Sequence, residues 1–190
     1  MTEKKIAIFA SGEGTNAQSI IDHFRNSAGI KIVLIVSNRP EAKVLDRAKK
    51  EGIPALVIDR KMFYESDSVV SHLQNAGIDL VVLAGFLWMI PGNLVKAFPD
   101  RIVNIHPALL PKFGGKGMYG MNVHKAVVAA GEKESGISIH FVNEQYDEGK
   151  IISQHCCPVD VNDSPEQLAR KIQQLEHTFF PKVIEKLLGD

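Results

Sequence analysis

The sequence has little cysteine, no long apolar run and no excess of either charge. Its 190 residues include two cysteines, Cys156 and Cys157, which are adjacent and so poorly placed for a mutual disulfide or a zinc site. Unpaired thiols favour a reducing compartment. Lys and Arg number 22, as do Asp and Glu, so no general field attracts nucleic acid or an anionic membrane. No apolar run approaches the roughly 18 residues of a membrane span, and Ile6–Ala10 is too short for a signal peptide. We therefore expect a soluble, cytoplasmic protein without a metal, nucleic-acid or membrane partner.

Short apolar runs alternate with helical patterns through the first hundred residues. The runs are nearly continuous in β-branched and aliphatic residues, which is typical of strands buried on both faces of a parallel sheet. The expected strands are Ile6–Ala10, Lys31–Ser37, Ala55–Ile58 and Leu80–Ala84, and the expected helices are Asn16–Phe24, Glu41–Glu51 and Val69–Asn75. This alternation predicts an α/β fold with a doubly wound, mostly parallel twisted sheet.

The second half of the chain does not continue this regular alternation. A loop rich in proline and glycine follows the fifth strand and ends at Gly120. That loop is long enough to predict a mobile functional segment. The expected elements are strands over Arg101–Ile105, Gly136–Val142 and Ile151–Val159, and helices over Asn122–Ala130 and from Pro165 to about Leu188, with Ser164 as the N-cap. A turn at Asp147–Gly149 joins the last two strands, so we expect an antiparallel strand near the C-terminal part.

A glycine-rich turn, Ser11–Ala17, joins the first strand to the first helix and formally matches the pattern G-x-G-x-x-A. Free N–H groups at a helix start favour a phosphate. The second strand ends in Ser37–Arg39 rather than in an acidic residue, which disfavours NAD and leaves NADP open through Arg39. An ordinary strand–helix turn is the alternative. We favour a small molecule that carries a phosphate.

Asn104 and His106 end the fifth strand and share one of its faces. An amide can donate to a developing oxyanion, and an imidazole can exchange a proton near neutral pH. No Ser or Cys stands in a strand-to-helix elbow nearby, so an acyl-enzyme has no visible nucleophile. Alternatively, Asn104 and His106 simply end the strand, and the histidine has no chemical role. Asp147 could orient His106, although an Asp beside a glycine is also ordinary turn chemistry.

Two other features were open to interpretation from the residues alone. Phe86–Ile90 either fills part of the hydrophobic core or forms an apolar surface that binds a flat ring. His140 is interpreted as a hydrogen-bonded sheet histidine rather than a ligand. The remaining histidines are interpreted as surface or edge residues: His23, His72, His124, His155 and His177.

Taken together, these segments resemble the phosphoribosylglycinamide formyltransferase family of folate-dependent enzymes. The matching segments are Ser11–Asn16, Val82–Phe86, Asn104–Pro111, Asp147–Gly149 and Gln174–His177, in the family's order and over nearly the whole chain. The Asn-Ile-His-Pro-x-Leu-Leu-Pro stretch is highly specific for folate-linked formyl transfer, whereas the glycine turn alone is not. The resemblance implies a Rossmann-like formyltransferase fold and transfer of the formyl group of 10-formyltetrahydrofolate, a co-substrate, to the amine of glycinamide ribonucleotide in purine biosynthesis.

The resemblance also implies roles for individual residues. Asn104 would stabilise the oxyanion, and His106, with its pKa raised by Asp147, would donate the proton. The residues implied to bind the ribonucleotide are Gly14, Thr15, Asn16, Gln173 and Glu176. Those implied to bind the folate are Leu87, Trp88, Met89, Ile90, Asn104, Asn143 and Tyr146. We expect one domain over residues 1–190, with a phosphate- and nucleotide-binding half (1–100) and a catalytic and folate-binding half (101–190), as a monomer or weak homodimer.

The chain departs from the family's pattern in two places. Many relatives carry an Arg after the third strand that reaches the folate's glutamate tail; here none is in register, which leaves Arg60 or Lys61 as substitutes. The loop Gly114–Gly120 lacks the His-containing sequence often seen there.

The alternatives are a 10-formyltetrahydrofolate hydrolase, a methionyl-tRNA formyltransferase, a non-catalytic folate- or nucleotide-binding protein and an NADP-dependent oxidoreductase. The first two generally add an N-terminal regulatory domain or a C-terminal basic domain, and we expect neither here.

Overall fold

The computed structural model describes residues 3–189, so that residues 1, 2 and 190 of the predicted domain lie outside the description. The strands of the described chain are β1 (Lys4–Phe9), β2 (Ile30–Ser37), β3 (Ala55–Val57), β4 (Leu80–Leu83), β5 (Ile102–His106), β6 (Glu134–Phe141) and β7 (Ile151–Pro158). Its helices are α1 (Thr15–Phe24), α2 (Lys43–Lys50), α3 (Arg60–Tyr64), α4 (Ser68–Asn75), α5 (Gly92–Ala97), α6 (Met121–Ala129) and α7 (Pro165–Gly189). None of these helices is long and apolar enough to cross a membrane.

The strands form one sheet in the order β3-β2-β1-β4-β5-β6-β7. Neighbouring strands from β3 to β5 are parallel, whereas β6 is antiparallel to both β5 and β7. The predicted mostly parallel sheet with an antiparallel strand near the C-terminal part is therefore confirmed. The chain moves outward from β1 to β3 and then returns to β4 on the other side of β1. Ligands bind at the carboxyl ends of strands where the order reverses in this way.

The inner strands of the sheet are buried on both faces, which explains their nearly continuous apolar runs. On β1, Ile6 and Ile8 lie in one core layer, while Ala7 and Phe9 lie in the other. Side chains from α1, α2, α6 and α7 complete the first layer, and side chains from α3, α4 and α5 complete the second. The helices on both faces make the sheet doubly wound, as predicted.

The predicted elements agree with the structure to within two residues at each end, but the sequence patterns did not predict α3 and α5. These helices have five and six residues, too few for an apolar period to repeat. The start of α3 is fixed locally, because the Asp59 carboxylate accepts a hydrogen bond of 2.7 Å from the Met62 N–H.

Helix α7 continues through a proline, and α1 compensates for the missing hydrogen bond. Pro181 has no N–H to donate to the carbonyl of His177, one turn earlier. The Ser19 hydroxyl of α1 donates to that carbonyl at 3.0 Å. Further contacts between the helices include those from Asn16 Nδ2 to Glu176 Oε2 at 2.9 Å and between His23 Nε2 and Glu185 Oε2 at 3.1 Å. We call these three contacts the α1–α7 seam.

Candidate active site

A cavity of about 690 Å³ opens at the carboxyl ends of β4 and β5, where the topology predicts a ligand. This volume is in the usual range for small-molecule sites. The cavity is lined by the ends of both strands, the loop after β4, the glycine-rich loop before α6, the loop between β6 and β7, and one face of α7.

A buried serine ties together the loops at this edge of the sheet. The Ser11 hydroxyl, just after β1, donates to Asn38 Oδ1 at 2.6 Å and accepts the Leu87 N–H at 2.9 Å. The Ser11 N–H in turn donates to the Gly85 carbonyl at 3.0 Å. The loop that carries the predicted folate-binding segment is therefore held by the ends of β1 and β2.

The structure brings Asn104, His106 and Asp147 together at one end of the cavity. The β6–β7 loop carries Asp147 to the side chains of β5, and His106 Nδ1 lies 3.6 Å from Asp147 Oδ2. The other ring nitrogen, Nε2, lies 2.8 Å from the carbonyl of Phe113. Because a carbonyl only accepts, Nε2 carries a hydrogen and donates it to Phe113, so that Nδ1 is the nitrogen left for chemistry.

The environment of His106 lowers its pKa, and the prediction of a raised pKa is therefore wrong. Burial of the ring is the largest influence and favours the neutral imidazole. Asp147 and the Phe113 carbonyl act in the opposite direction, as predicted for Asp147, but they are outweighed; His140 adds a smaller lowering. The resting imidazole is therefore neutral near pH 7.

Asp147 is an ionised carboxylate. Burial on its own would raise its pKa, but His140, His106 and the Gly115 N–H, which donates to Oδ2 at 2.9 Å, together lower it below the ordinary value. The same carboxylate thus faces the His106 imidazole and holds the glycine-rich loop.

The start of α1 offers free N–H groups next to the cavity. Gly14 precedes the helix with φ 71°, and no side chain among the described residues caps the first turn. A Cβ on Gly14 would lie 2.6 Å from Val44 Cγ2, so this position requires glycine both for its φ and for its close approach to α2. Such a helix start suits an anion.

The predicted ribonucleotide residues lie around this helix start. Asn16, Gln173 and Glu176 line the cavity, whereas Gly14 and Thr15 lie beside it. Gln173 Nε2 donates to Thr15 Oγ1 at 3.2 Å. Asn16 Oδ1 is buried without a hydrogen-bond partner among residues 3–189. Burial raises the pKa of Glu176, against the hydrogen bond from Asn16.

The predicted folate residues all line the cavity: Leu87, Trp88, Met89, Ile90, Asn104, Asn143 and Tyr146. Leu87 and Met89 are exposed there, while Ile90 is buried in the second core layer. The segment Phe86–Ile90 therefore both fills part of the hydrophobic core and forms a wall of the cavity. Of the two substitutes for the missing Arg, Arg60 lies beside this wall, with its guanidinium 5.1 Å from the centre of the Trp88 ring.

Two histidines belong to the site although the sequence patterns did not place them there. His140 is a hydrogen-bonded sheet residue, as interpreted, but it also lines the cavity between Asn104 and Asp147. The interpretation of His124 as a surface or edge residue is wrong: it is 6% exposed and lines the cavity. Its position between Val123 and Val127 on the apolar face of α6 was the available signal.

The residues that line the cavity, all within the described chain, include no Ser, Thr or Cys. The described residues also contain no group of three or more His, Cys, Asp or Glu side chains placed to hold a metal ion.

This fold and site define a member of a known family: the formyl transferase family matches residues 4–184, and the chain belongs to it. Phosphoribosylglycinamide formyltransferase from Haemophilus influenzae is 37% identical and covers 96% of this chain, which spans 86% of that protein. The chloroplastic phosphoribosylglycinamide formyltransferase of Arabidopsis thaliana is 45% identical and covers 95% of this chain. The chain spans 64% of the length of the Arabidopsis protein.

The fold is similar to that of solved members of the family. The crystal structure of glycinamide ribonucleotide transformylase 1 from Symbiobacterium toebii superposes with a TM-score of 0.89 at 36% identity. The match covers 98% of this chain and 88% of that one.

Proposed function

We propose that this protein transfers the formyl group of 10-formyltetrahydrofolate to the amine of glycinamide ribonucleotide, a step of purine biosynthesis. The observation that carries the proposal is the meeting of Asn104, His106 and Asp147 in a cavity whose described lining includes no Ser, Thr or Cys. An oxyanion donor beside a proton-exchanging imidazole, without a Ser, Thr or Cys nucleophile in the described lining, suits an acyl transfer in which the substrate's own amine attacks. The names of the relatives support the same reaction.

The residues have complementary roles in this reaction. The ribonucleotide amine bonds to the formyl carbon, and the carbonyl electron pair moves to the oxygen, to which Asn104 donates a hydrogen bond. His106 then accepts a proton at Nδ1 from the attacking nitrogen, because its Nε2–H is already held by Phe113. The bond from the formyl carbon to the folate nitrogen breaks, and His106 returns the proton to that nitrogen. Between the two transfers Asp147 stabilises the imidazolium.

The two substrates occupy opposite parts of the cavity in this proposal. The N–H groups at the start of α1 bind the phosphate, and Glu176 and the unpartnered Asn16 Oδ1 accept hydrogen bonds from the ribose hydroxyls. The folate supplies the formyl group and lies against Leu87–Ile90. Both halves of the chain contribute to this arrangement, since Asn16 faces Glu176 across the α1–α7 seam.

Turnover of 10-formyl-5,8-dideazafolate, followed spectroscopically with and without glycinamide ribonucleotide, tests the proposal. Turnover that requires the ribonucleotide supports the transferase. Equal turnover without it would favour a hydrolase and contradict the proposal. No turnover under either condition would favour a binding protein.

Substitution of the proposed catalytic residues tests the mechanism. Asn104→Ala and His106→Ala should each lose at least about a hundredfold in kcat, the usual effect of removing an oxyanion donor or a proton-transfer group. Asn75→Ala and His72→Ala, on the exposed face of α4, are the matched controls and should retain full turnover. Circular dichroism and thermal unfolding check that the variants fold. Near-normal turnover in either catalytic variant would refute the assigned role.

A further inference from the structure

His140 has no part in the reaction steps above, yet it contacts the residue proposed to stabilise the oxyanion. It lies directly opposite Asn104 in the antiparallel pairing of β5 with β6. Opposed residues of neighbouring strands present their side chains on the same face and in contact. The His140 side chain is almost completely buried, so its hydrogen bonds have few competing partners.

The backbone fixes which nitrogen of His140 carries the hydrogen. Nδ1 lies 2.8 Å from the carbonyl of Phe141, which can only accept, so Nδ1 is the donor, and in the uncharged ring Nε2 keeps its lone pair. Gly149 makes room for this contact. A Cβ at Gly149 would collide with the Phe141 carbonyl and lie 3.4 Å from His140 Nδ1. The tautomer therefore follows from a contact within the end of β6, for which Gly149 of the β6–β7 loop leaves room.

The lone pair on His140 Nε2 determines the orientation of the Asn104 amide. Asn104 Nδ2 lies 3.1 Å from Nε2 and donates one of its two hydrogens to it. A half-turn of the amide would place Oδ1 against the same lone pair, with two acceptors in contact and no hydrogen between them. Asp147 Oδ1 lies 3.7 Å from Nε2, which is too far for a hydrogen bond, so the carboxylate neither fixes a hydrogen on Nε2 nor competes for its lone pair. The second hydrogen on Nδ2 stays free, and Asn104 lines the cavity.

We propose that His140 is a positioning residue that holds the Asn104 amide with its nitrogen towards the reacting group. The use of the free N–H, donation to the formyl oxygen, depends on the proposed function. The orientation itself depends only on the contacts among His140, Asn104 and Phe141.

The orientation can be tested without any activity. Long-range ¹H–¹⁵N correlation spectra of the ¹⁵N-labelled protein report which imidazole nitrogen is protonated, and the His140→Gln spectrum assigns the signals of His140. We expect the hydrogen on Nδ1 and a scalar coupling across the hydrogen bond from Asn104 Nδ2 to His140 Nε2. A hydrogen on Nε2 at neutral pH would overturn the proposal even if the protein were a fully active transferase.

Two substitutions test the consequence for turnover. His140→Leu removes the acceptor, whereas His140→Gln keeps a side-chain oxygen near the place of Nε2. We expect His140→Leu to lower kcat by about ten- to a hundredfold, no more than Asn104→Ala, while the KM for each substrate changes less than about twofold. His140→Gln should recover most of the lost kcat. Equal losses in the two variants would contradict the positioning role.

A double substitution separates this role from a general structural one. If His140 acts through Asn104, the Asn104→Ala/His140→Leu enzyme should be no slower than Asn104→Ala alone. Losses that multiply would refute the proposal. A second double variant, Asp147→Asn/His140→Leu, locates the action of His140. If it is no slower than Asp147→Asn alone while the losses at Asn104 and His140 multiply, His140 acts through the carboxylate and the proposal is refuted. If the leucine variant does not fold, the tautomer measurement still decides the question.

Discussion

Replacing Ser19 by alanine should weaken the α1–α7 seam, because Ser19 donates the hydrogen bond that Pro181 cannot. The His177 carbonyl accepts from the Ser19 hydroxyl at 3.0 Å and has no helical donor four residues later. Loss of a hydrogen bond that leaves its partner unsatisfied costs about 1–3 kcal/mol. Ser19 and His177 are partly exposed, so water can reach the carbonyl, and we expect a loss near the lower end, about 1 kcal/mol.

Urea unfolding of four proteins measures this contribution: wild type, Ser19→Ala, Pro181→Ala and the double variant. Alanine at position 181 restores a helical N–H for the His177 carbonyl. Ser19→Ala should then cost little in that background, which gives a coupling free energy of about 1 kcal/mol. Ser71→Ala, at an exposed position within α4, corrects for the higher helix propensity of alanine.

The same bond should matter for the ribonucleotide, since it lies one turn from Asn16 on α1 and adjacent to Glu176 on α7. We expect Ser19→Ala to raise the KM for the ribonucleotide a few-fold, with kcat unchanged, because the seam positions binding groups and not the reacting ones. An equal unfolding cost of Ser19→Ala with proline or alanine at 181 would refute the reasoning. A fall in kcat at constant KM would refute the link to substrate binding.

Three further predictions concern the cavity. Gly14→Ala places a side chain at φ 71° and against α2, so it should lower the free energy of unfolding by about 2–4 kcal/mol in urea. Asp147→Asn removes a carboxylate that raises the pKa of His106. Since His106 must be neutral to accept a proton, the rate rises with pH through that pKa, and we expect the acid limb of kcat/KM to move to lower pH. Arg60→Ala should raise the KM of a polyglutamylated folate more than that of the monoglutamate, whereas Lys61→Ala should leave the ratio unchanged.

Each of these predictions has a clear contrary result. Unchanged stability in Gly14→Ala would show that the turn before α1 relaxes without cost. An acid limb that moves to higher pH in Asp147→Asn, or a rate that falls as His106 loses its proton, would contradict a neutral resting imidazole. Equal effects at Arg60 and Lys61 would contradict a specific role for the cation beside Trp88.

Most of the sheet could be predicted because its inner strands are buried on both faces and their apolar runs are short and continuous. The helices of eight residues or more could be predicted too, since their apolar positions recur over at least two turns. α3 begins at a local cap, and α3 and α5 each bury one side chain in the second core layer, Phe63 and Leu94, but a helix of one or two turns is too short for an apolar period. A single capping residue, such as Asp59 before α3, can be assigned to a helix only once the fold is known.

That Asn104, His106 and Asp147 lie together could be predicted from the sequence, but the electrostatics of the group could not. Asn104, His106 and Asp147 occupy positions that strand alternation and turn chemistry mark in the sequence. The lowered pKa of His106 results from burial of its ring in the folded protein, a property that spacing in the sequence does not reveal. The contact of His140 with Asn104 depends on the register of an antiparallel pair, which the sequence does not specify by itself.

The direction of β6 explains how the polar side chains of the site complement one another. β5 and β6 end in the same alternation, apolar residues separated by Asn104 and His106 on one strand and by Ser138 and His140 on the other. The apolar members of both strands fill one core layer, so the polar members share the opposite face. Antiparallel pairing sets each histidine against a non-titrating partner, His140 against Asn104 and His106 against Ser138. A parallel pairing that aligned the two patterns would set histidine against histidine, where a proton on one ring would repel a proton on the other. In the proposed reaction, the reversed strand therefore allows His106 to become charged while His140 keeps a lone pair for the Asn104 amide.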